Sequence, residues 1–499
     1  MLTLSSKEKA EYKKHVLQKA AKKESLLFKL FIALNEKNIG DKKIAEKLGI
    51  KNAAQFSTLK KKLHTDITDV LVSLYKKQNQ VASIIKEQIK INILLDRKLY
   101  EDAYKLIVWQ LKNAEEQQDL VAILDLQKKK YQYLELNEDK NHISSIVAQQ
   151  EEIKKAFTQL YHFEQIQLLF YKATQLKNIT NLRTAEKEIE EAIQLKEEIL
   201  GIKDKTIPAI TQLYQNTALA ICSYLSGEYK ECEIYCNRVL GLWKIHKHVT
   251  PHYSQLFKEG ASVIFYLDFI DLQTEKVISH FRFFKDFLPL VKNEKDKSQI
   301  QILFFNTEIK IFHKQTRYRE LKEYLQLHGK SIQLLAGQFA SPKENMVILA
   351  SMAISYFVLE QYAKADELLY EIKKINRLAQ KDDIFYFTLV FHLLIIFKRE
   401  EWVHLYSMCE AGYQSLYSRK KIRPFEKELM LFLKNLQLIH SKENIQISLD
   451  KLLTRLEVYK NDPVKKLYFL YFNYYAWLQS LKMGIRYTDY LQQQNDKII

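Results

Sequence analysis

Glycine and proline are scarce in this sequence. Its 499 residues include 10 Gly and 6 Pro, so about 3% of positions carry a strong helix breaker, against a usual share of roughly 12%. A β-sandwich, or an α/β fold with many tight turns, needs more of both residue types. The composition therefore excludes these classes and predicts an all-α fold.

Cysteines and long apolar runs are also rare. The four cysteines show no framework spacing, which is typical of proteins in a reducing cytoplasm. The longest apolar run, Ile384 to Phe397, has 14 residues and contains a histidine, whereas a membrane span needs about 20. We expect a buried helix there, no insertion into a membrane and, because the N-terminus lacks the apolar core of a signal peptide, no export by that route.

Arginine is rare as well, and the positive charge is concentrated at the N-terminus. The net charge is +17, yet only 12 of the 77 basic residues are arginine. The first 90 residues contain 20 Lys, no Arg and 9 acidic residues, a net charge of +11. A lysine excess of this kind is typical of a biased genome, so the distribution of the charge is more informative than its total.

Motifs of enzymes are missing too. The sequence has no Gly-rich phosphate loop, no His-Glu-x-x-His pair, no Gly-x-Ser-x-Gly elbow and no kinase set. The acidic run over residues 186 to 193 is typical of a solvated helix face. We therefore predict no catalytic residue, no cofactor and no enzymatic activity.

What the sequence does have is a recurring pair of residues. An aromatic residue is followed three positions later by a small or aliphatic residue, at intervals close to 43. The pairs are Tyr100 with Ala103, Tyr229 with Cys232, Tyr318 with Leu321, Tyr362 with Ala365, and Trp402 with Leu405. Weaker members at similar intervals are Ile143 with Ile146, Leu182 with Ala185, Thr274 with Val277, and Ile445 with Ser448.

This pattern resembles the tetratricopeptide repeat (TPR), in which two antiparallel helices pack through an aromatic residue and a small residue of the second helix. A TPR unit has 34 residues, so this would be a divergent, longer version. The resemblance implies a TPR-like α-solenoid of helix pairs over residues 81 to 485, a basic helical module over 1 to 80, and a C-terminal tail over 486 to 499.

Two cysteines in one of these units raise the question of a metal site. Cys232 and Cys236 lie one helical turn apart, and His246, His248 and His252 follow. This set contains zinc ligands, but its spacing matches no finger or ribbon pattern. We favour the alternative that both cysteines are small apolar residues of the core, and we predict no metal.

The N-terminal module has the outline of a helix-turn-helix. Gly49 would lie in the turn, and Phe56, Leu59 and Leu63 would face inward from the second helix. Its exposed face would then offer candidate DNA contacts: Gln55, Ser57, Lys60, Lys61 and Lys62. The alternative is a helical cap with a solvated lysine face. A helix-turn-helix followed by TPR-like helices resembles the bacterial peptide-responsive regulators of the Rap and PlcR group.

An aromatic run near the C-terminus, residues 467 to 478, would be apolar on every face of a helix. It must be covered either by the final segment folding back or by a partner. We favour the fold-back.

These observations predict a bacterial, cytoplasmic scaffold that binds a protein or peptide on the concave face of its repeats, for which solenoids are suited. The alternative function is a DNA-binding transcriptional regulator, whose module over residues 1 to 80 binds nucleic acid and whose repeats sense a ligand or form a homodimer.

Overall fold

A computed structural model describes residues 6–19, 26–35, 41–50, 52–75, 80–137, 142–179, 186–202, 207–271, 274–375, 383–418, 422–436, 442–461 and 471–496. Within these residues every regular element is helical, and none is a strand. The all-α fold is thereby confirmed. Two short 3-10 helices, Lys247–Val249 and Leu288–Leu290, complete the elements.

The α-helices have the following bounds, in chain order: α1 Ser6–Lys19, α2 Leu26–Asn35, α3 Asp41–Lys47, α4 Ala53–Tyr75, α5 Gln80–Asp96, α6 Tyr100–Gln117, α7 Leu120–Leu136, α8 His142–Ile179, α9 Glu186–Gly201, α10 Ala209–Leu225, α11 Tyr229–Ile245, α12 Ser254–Asp271, α13 Thr274–Lys285, α14 Glu294–Lys314, α15 Tyr318–Phe339, α16 Pro342–Val358, α17 Tyr362–Lys374, α18 Asp383–Lys398, α19 Trp402–Ser418, α20 Pro424–Asn435, α21 Lys442–Asn461, α22 Tyr474–Met483 and α23 Tyr487–Asp496.

The chain forms two compact units. The first consists of Met1–Asn113 and Ala122–Ile153, and the second of Ala114–Val121 and Lys154–Ile499. In the first unit, α4 packs against α1 and α2 around a small core that includes Tyr12, Phe31, Phe56 and Leu63. The proposed boundary of an N-terminal module at residue 80 stays a prediction.

In the second unit, consecutive helices pair, and the pairs stack. The pairs are α10 with α11, α12 with α13, α14 with α15, α16 with α17, α18 with α19, and α20 with α21. The first helix of each pair also contacts the first helix of the next pair. We call α10, α12, α14, α16, α18 and α20 the first helices, and their partners the second helices.

The same tight turn recurs in both units. Two residues before the aromatic residue of each strong sequence pair, the backbone adopts a positive φ of 54 to 79°. These residues are Lys98, Gly227, Thr316, Glu360 and Glu400. The next N–H then donates to a carbonyl five residues back, as from Gln361 to Tyr356 at 2.8 Å, which is the hydrogen bond of a Schellman helix end. Glycine occupies only one of these turns, so glycine content alone understates their number.

The structure places each strong sequence pair at the start of a helix. Tyr100, Tyr229, Tyr318, Tyr362 and Trp402 are the first residues of α6, α11, α15, α17 and α19. Their companions three positions later, Ala103, Cys232, Leu321, Ala365 and Leu405, are at most 1% exposed. One side of each of these helices is therefore in close contact with neighbouring atoms from its first turn onward.

The weaker sequence pairs have mixed placements. Thr274 begins α13, and Val277 is buried. Ile445 is the fourth residue of α21. Ile143 is the second residue of α8, which continues without interruption for 38 residues, so no helix pair is formed there. Leu182 and Ala185 lie outside the described residues.

Helix starts that the sequence marks with proline are partly visible. Ser341 and Glu344 form a reciprocal capping box with Pro342 in the first turn of α16, an arrangement typical of helix starts. Pro251 lies in a turn, and α12 begins three residues later at Ser254. Asp462, which precedes another proline, lies outside the described residues.

Candidate functional site

Three successive first helices present partly buried polar or aromatic side chains at the same position of the repeat. Tyr224 of α10, Tyr266 of α12 and Lys310 of α14 are 42 and 44 residues apart in the sequence. The rings of Tyr224 and Tyr266 have centroids 5.9 Å apart, and Lys310 Nζ lies 5.9 Å from the Tyr266 ring centroid and 4.7 Å from that of Phe269. We call these four residues the first-helix row.

Lys310 has an unusual environment for a lysine. Within the described residues, its ammonium group makes no hydrogen bond or ion pair, and its near neighbours are the two aromatic faces. Burial lowers the pKa of Lys310 to about 8. A buried cation without an acidic partner is unfavourable, and the cation–π contacts offset only part of that cost. An anion that binds beside Lys310 would therefore stabilise the charged form of its ammonium group.

The C-terminal end of α8 is held near this row by an ion pair and a hydrogen bond. Lys177 forms a buried ion pair with Glu259 of α12, and its Nζ lies 6.0 Å from the Tyr266 ring centroid. Burial alone would lower the pKa of Lys177, but the charge of Glu259 raises it above its ordinary value. Lys343 Nζ, at the start of α16, donates to the carbonyl of Asn178 at 2.9 Å. Lys177 thus has a structural partner, whereas Lys310 has none in the described residues.

A second ion pair connects α12 to α16. Lys258 Nζ donates to a carboxylate oxygen of Glu344 at 3.0 Å and to Gln299 Oε1 at 3.3 Å. Burial alone would raise the pKa of Glu344, but the ammonium of Lys258 and the N–H of Ser341 lower it below its ordinary value. The starts of α12 and α16 are therefore joined by an ion pair, and that of α14 by a hydrogen bond, next to the end of α8.

Farther along the repeats, the chain itself covers the first helices. Phe472 packs against Phe357 of α16 and Phe391 of α18, with ring centroids 5.7 and 5.1 Å away, and against Tyr487 of α23 at 5.3 Å. Asn495 Nδ2 donates to the carbonyl of Lys314 in α14 at 3.1 Å. The expected fold-back is confirmed for residues 471 to 478, whereas residues 467 to 470 lie outside the described part of the chain.

The segment predicted as a C-terminal tail contains helix α23, which packs against α22. Helices α22 and α23, with Tyr471, Phe472 and Asn473 before them, are called the covering segment below. This segment contacts α14, α16 and α18. Burial, together with neighbouring tyrosines that include Tyr471 of this segment, raises the pKa of Tyr224 in the first-helix row.

The candidate DNA contacts lie on the first turns of α4. Gln55, Ser57, Lys61 and Lys62 are exposed. Lys60 is partly buried, and its Nζ donates to a carboxylate oxygen of Asp41 at 2.8 Å while lying 5.3 Å from the Phe56 ring centroid. Four of the five side chains are therefore accessible to a phosphate or a base, and Lys60 is already engaged by an acidic residue.

The cysteines are buried side chains of the core. All four, Cys222, Cys232, Cys236 and Cys409, are free thiols. Cys232 Sγ lies 3.9 Å from Cys236 Sγ and 3.3 Å from the carbonyl of Ala220. The hydrogen bond to Cys232, together with burial, raises the pKa of Cys236 well above its ordinary value, so this thiol stays protonated.

The histidines that follow these cysteines in the sequence have other neighbours in the structure. His248 Nε2 is 2.6 Å from the carbonyl of Glu116, and burial and the neighbouring His248 lower the pKa of His246. Across the described ranges, no three His, Cys, Asp or Glu side chains come together in a way that could hold a metal ion.

The first-helix row was not anticipated from the sequence. The sequence pattern singled out the second helices, because their aromatic residues recur at a clear interval. The same interval also relates Tyr224, Tyr266 and Lys310, so a search of the first helices for the repeat would have found them. The missing acidic partner of Lys310 depends on tertiary packing, which no sequence interval reports.

No protein-family model and no curated protein sequence matches this chain. Among the helices in the described ranges, none combines the length and the apolar character that crossing a bilayer requires.

Proposed function

We propose that this protein is a non-enzymatic, TPR-like helical-repeat scaffold that binds an acidic protein or peptide segment at the first-helix row. The observation that carries the proposal is Lys310, a partly buried cation bounded by aromatic rings and without an acidic partner in the described residues. A carboxylate placed beside it would supply the missing charge, and Tyr266 and Phe269 offer apolar surface to the adjoining side chain of the ligand.

The repeat geometry supports a segment and not a single small anion. Tyr224 and Tyr266 lie on consecutive first helices, so a bound chain that crosses these helices would contact both rings before it reaches Lys310. Aromatic residues with few rotatable bonds are suited to such contacts because ordering them costs little entropy. We therefore expect ligands with an aromatic or aliphatic residue close to an aspartate or a glutamate.

A displayed library of random peptides tests this proposal. The full-length protein should enrich peptides with that pattern, and Lys310→Met should abolish the enrichment. Lys330→Met is a matched control, because Lys330 is an exposed lysine on α15. The proposal fails if no acidic peptides are enriched, or if Lys310→Met and Lys330→Met retain the same peptides as the unaltered protein.

A second candidate function is a sequence-specific DNA-binding regulator with the architecture of the Rap and PlcR group. The exposure of Gln55 and Ser57 on α4, directly after the turn at Gly49, favours it. In this alternative the first-helix row would bind the regulatory peptide, so both candidates share the same ligand site and differ in the role of the N-terminal helices.

A further inference from the structure

A cavity of about 320 Å³ lies where the covering segment meets the ends of α16 and α18. Its apolar wall includes Phe357 of α16, Leu481 of α22 and Ile485, and its lining residues belong to the second unit. This volume is near the lower end of the range for small-molecule sites, roughly 300 to 1,000 Å³. The cavity therefore has room for a small ligand with one apolar group.

Two side chains of opposite charge line this cavity without forming an ion pair. Lys398 is the last residue of α18, and Glu360 lies in the tight turn before α17. Within the described residues, neither side chain makes a hydrogen bond or a direct ionic contact. Burial lowers the pKa of Lys398, and the negative charge of Glu360 offsets part of that effect. The two charges are therefore close enough to interact but too far apart for direct contact.

The cavity wall also contains a hydrogen-bond donor without an acceptor. Trp477 lines the cavity and is fully buried, and its indole N–H has no acceptor among the described residues. A buried polar group without a partner is costly. Arg486 lines the cavity too, but its guanidinium already pairs with Asp489 at 3.1 Å. The lining groups that lack a partner in the described chain thus include a cation, an N–H donor and an anion.

We propose that this cavity binds a free α-amino acid with an apolar side chain. The carboxylate of the ligand accepts hydrogen bonds from the ammonium group of Lys398 and from the indole N–H of Trp477. The ammonium group of the ligand pairs with Glu360, so that the ligand bridges the gap between the two protein charges. Its side chain packs against the apolar wall. The site contains no residue of the first-helix row, so it is independent of the function proposed above.

Ligand-observed NMR titrations of the full-length protein test this site. The probes are L-leucine and L-phenylalanine, and a ligand of this size should bind with a dissociation constant on the order of 0.1 to 1 mM. Two analogues separate the charges of the ligand: L-phenylalaninamide lacks the carboxylate, and phenylpropanoate lacks the ammonium group. Each should bind roughly tenfold more weakly than L-phenylalanine, because each loses one charge-assisted contact.

Two variants assign each charge of the ligand to a side chain. Lys398→Met should weaken binding of L-phenylalanine to about that of the amide and leave binding of the amide unchanged. Glu360→Gln should weaken binding of L-phenylalanine to about that of phenylpropanoate and leave phenylpropanoate unchanged. Lys364→Met is the matched control, because Lys364 is an exposed lysine of α17 that does not line the cavity; it should change neither affinity.

Trp477→Phe tests the N–H donor separately from the ring. It keeps an aromatic side chain in the wall and should raise the dissociation constant for L-phenylalanine roughly threefold to tenfold. Circular dichroism should show unchanged helicity in every variant. Lys398→Met should also retain its resistance to urea, since it removes a partly buried cation that has no direct acidic partner.

Several outcomes would overturn the proposal. One is the absence of binding by either amino acid at about 10 mM, well above the dissociation constant expected here. Another is an amide or a phenylpropanoate that binds as tightly as L-phenylalanine, because the ligand would then not need both charges. A third is binding that Lys398→Met and Glu360→Gln leave intact, or that Lys364→Met weakens equally, because the amino acid would then bind at another place.

Discussion

Helices α18 and α8 differ in composition and in surroundings, but each carries large apolar side chains on more than one face. Both carry apolar residues around most of their circumference. In α18, 13 of 16 residues are buried, because α16, α17, α19 and α20 surround it and Phe472 covers it further. In the second-unit part of α8, the side that faces away from α10 leaves Phe157 and Tyr161 more than half exposed.

The difference shows what an apolar pattern specifies and what it does not. The pattern states that a helix has more apolar surface than one neighbour can bury. It does not state whether the rest of the chain covers that surface, as in α18, or leaves part of it exposed, as in α8. Substitutions that remove cover from α18 should therefore lower the stability of the fold, whereas substitutions of the exposed apolar residues of α8 should change it little.

The largest effect that we expect is from Trp477→Ala in the covering segment. Trp477 is fully buried, and its ring centroid lies 5.6 Å from that of Phe397 in α18. Removing a buried indole leaves a cavity and should lower the free energy of unfolding by about 3 to 5 kcal/mol. Urea denaturation followed by circular dichroism measures this change.

Tyr161→Ala is the matched variant on the open side of the comparison. The Tyr161 side chain is 54% exposed, so its loss should change the free energy of unfolding by no more than about 0.5 kcal/mol at concentrations where the protein is monomeric. Equal losses for Trp477→Ala and Tyr161→Ala would show that Tyr161 is buried in the folded protein, contrary to its exposure here.

An intermediate effect is expected from pH, through His313 near the end of α14. Burial lowers the pKa of His313 to about 4. Its Nε2 lies 2.8 Å from Ser355 Oγ, and the Ser355 hydroxyl donates to the carbonyl of Ser351 at 2.8 Å. The neutral imidazole must therefore donate from Nε2. The next residue, Lys314, accepts the hydrogen bond from Asn495 of the covering segment.

The direction of this pH dependence follows from the difference between the pKa of His313 in the folded and in the unfolded chain. In the unfolded chain His313 titrates near its ordinary value of about 6.5, so between pH 6.5 and 4 the unfolded state binds the extra proton. The contribution of neutral His313 to the free energy of unfolding is complete above pH 6.5. It falls as the pH decreases, by at most about 1.4 kcal/mol per pH unit. His313→Gln should flatten this slope in urea titrations, whereas His404→Gln, on the exposed side of α19, should leave it unchanged.

Local features of the sequence predicted local features of the structure. The scarcity of glycine and proline predicted helices, and aromatic residues such as Tyr362 mark where second helices begin. The run from residue 142 to 179 contains neither glycine nor proline, and it forms one helix where the repeat interval suggested a helix pair. Residues 50 to 200 as a whole also contain neither glycine nor proline, although helices end within them at Asp96, Gln117 and Leu136, so this absence does not distinguish one long helix from a helix pair.

Contacts between residues far apart in the sequence could not be predicted from its local patterns. Phe472 contacts Phe357, which is 115 residues earlier in the sequence, and no periodic pattern encodes which first helix a C-terminal segment will cover. The environment of Lys310 is also a product of packing, since any lysine at that repeat position has the same sequence signature. The all-α class and several helix starts were therefore predictable, whereas the first-helix row and the exposure of Phe157 and Tyr161 on α8 required coordinates.

The smallest effects should come from substitutions on α4. This helix has one buried side and one exposed side. Phe56 and Leu63 are buried in the core of the first unit, and the lysines lie on the other side. Lys61→Ala should weaken binding to duplex DNA at about 50 mM salt, because it removes one phosphate contact. Lys60→Ala should weaken it less, since Asp41 already neutralises that ammonium group.

Gln55→Ala together with Ser57→Ala should leave DNA affinity unchanged. If the first unit attracts DNA only through its net positive charge, binding is independent of sequence and fades steeply between about 50 and 200 mM salt. Side chains that read bases matter only when a specific site exists. Selection from a random duplex pool at physiological salt distinguishes the two cases. A consensus that disappears in the Gln55→Ala, Ser57→Ala double variant would favour the regulator, because a charged surface alone cannot select a sequence.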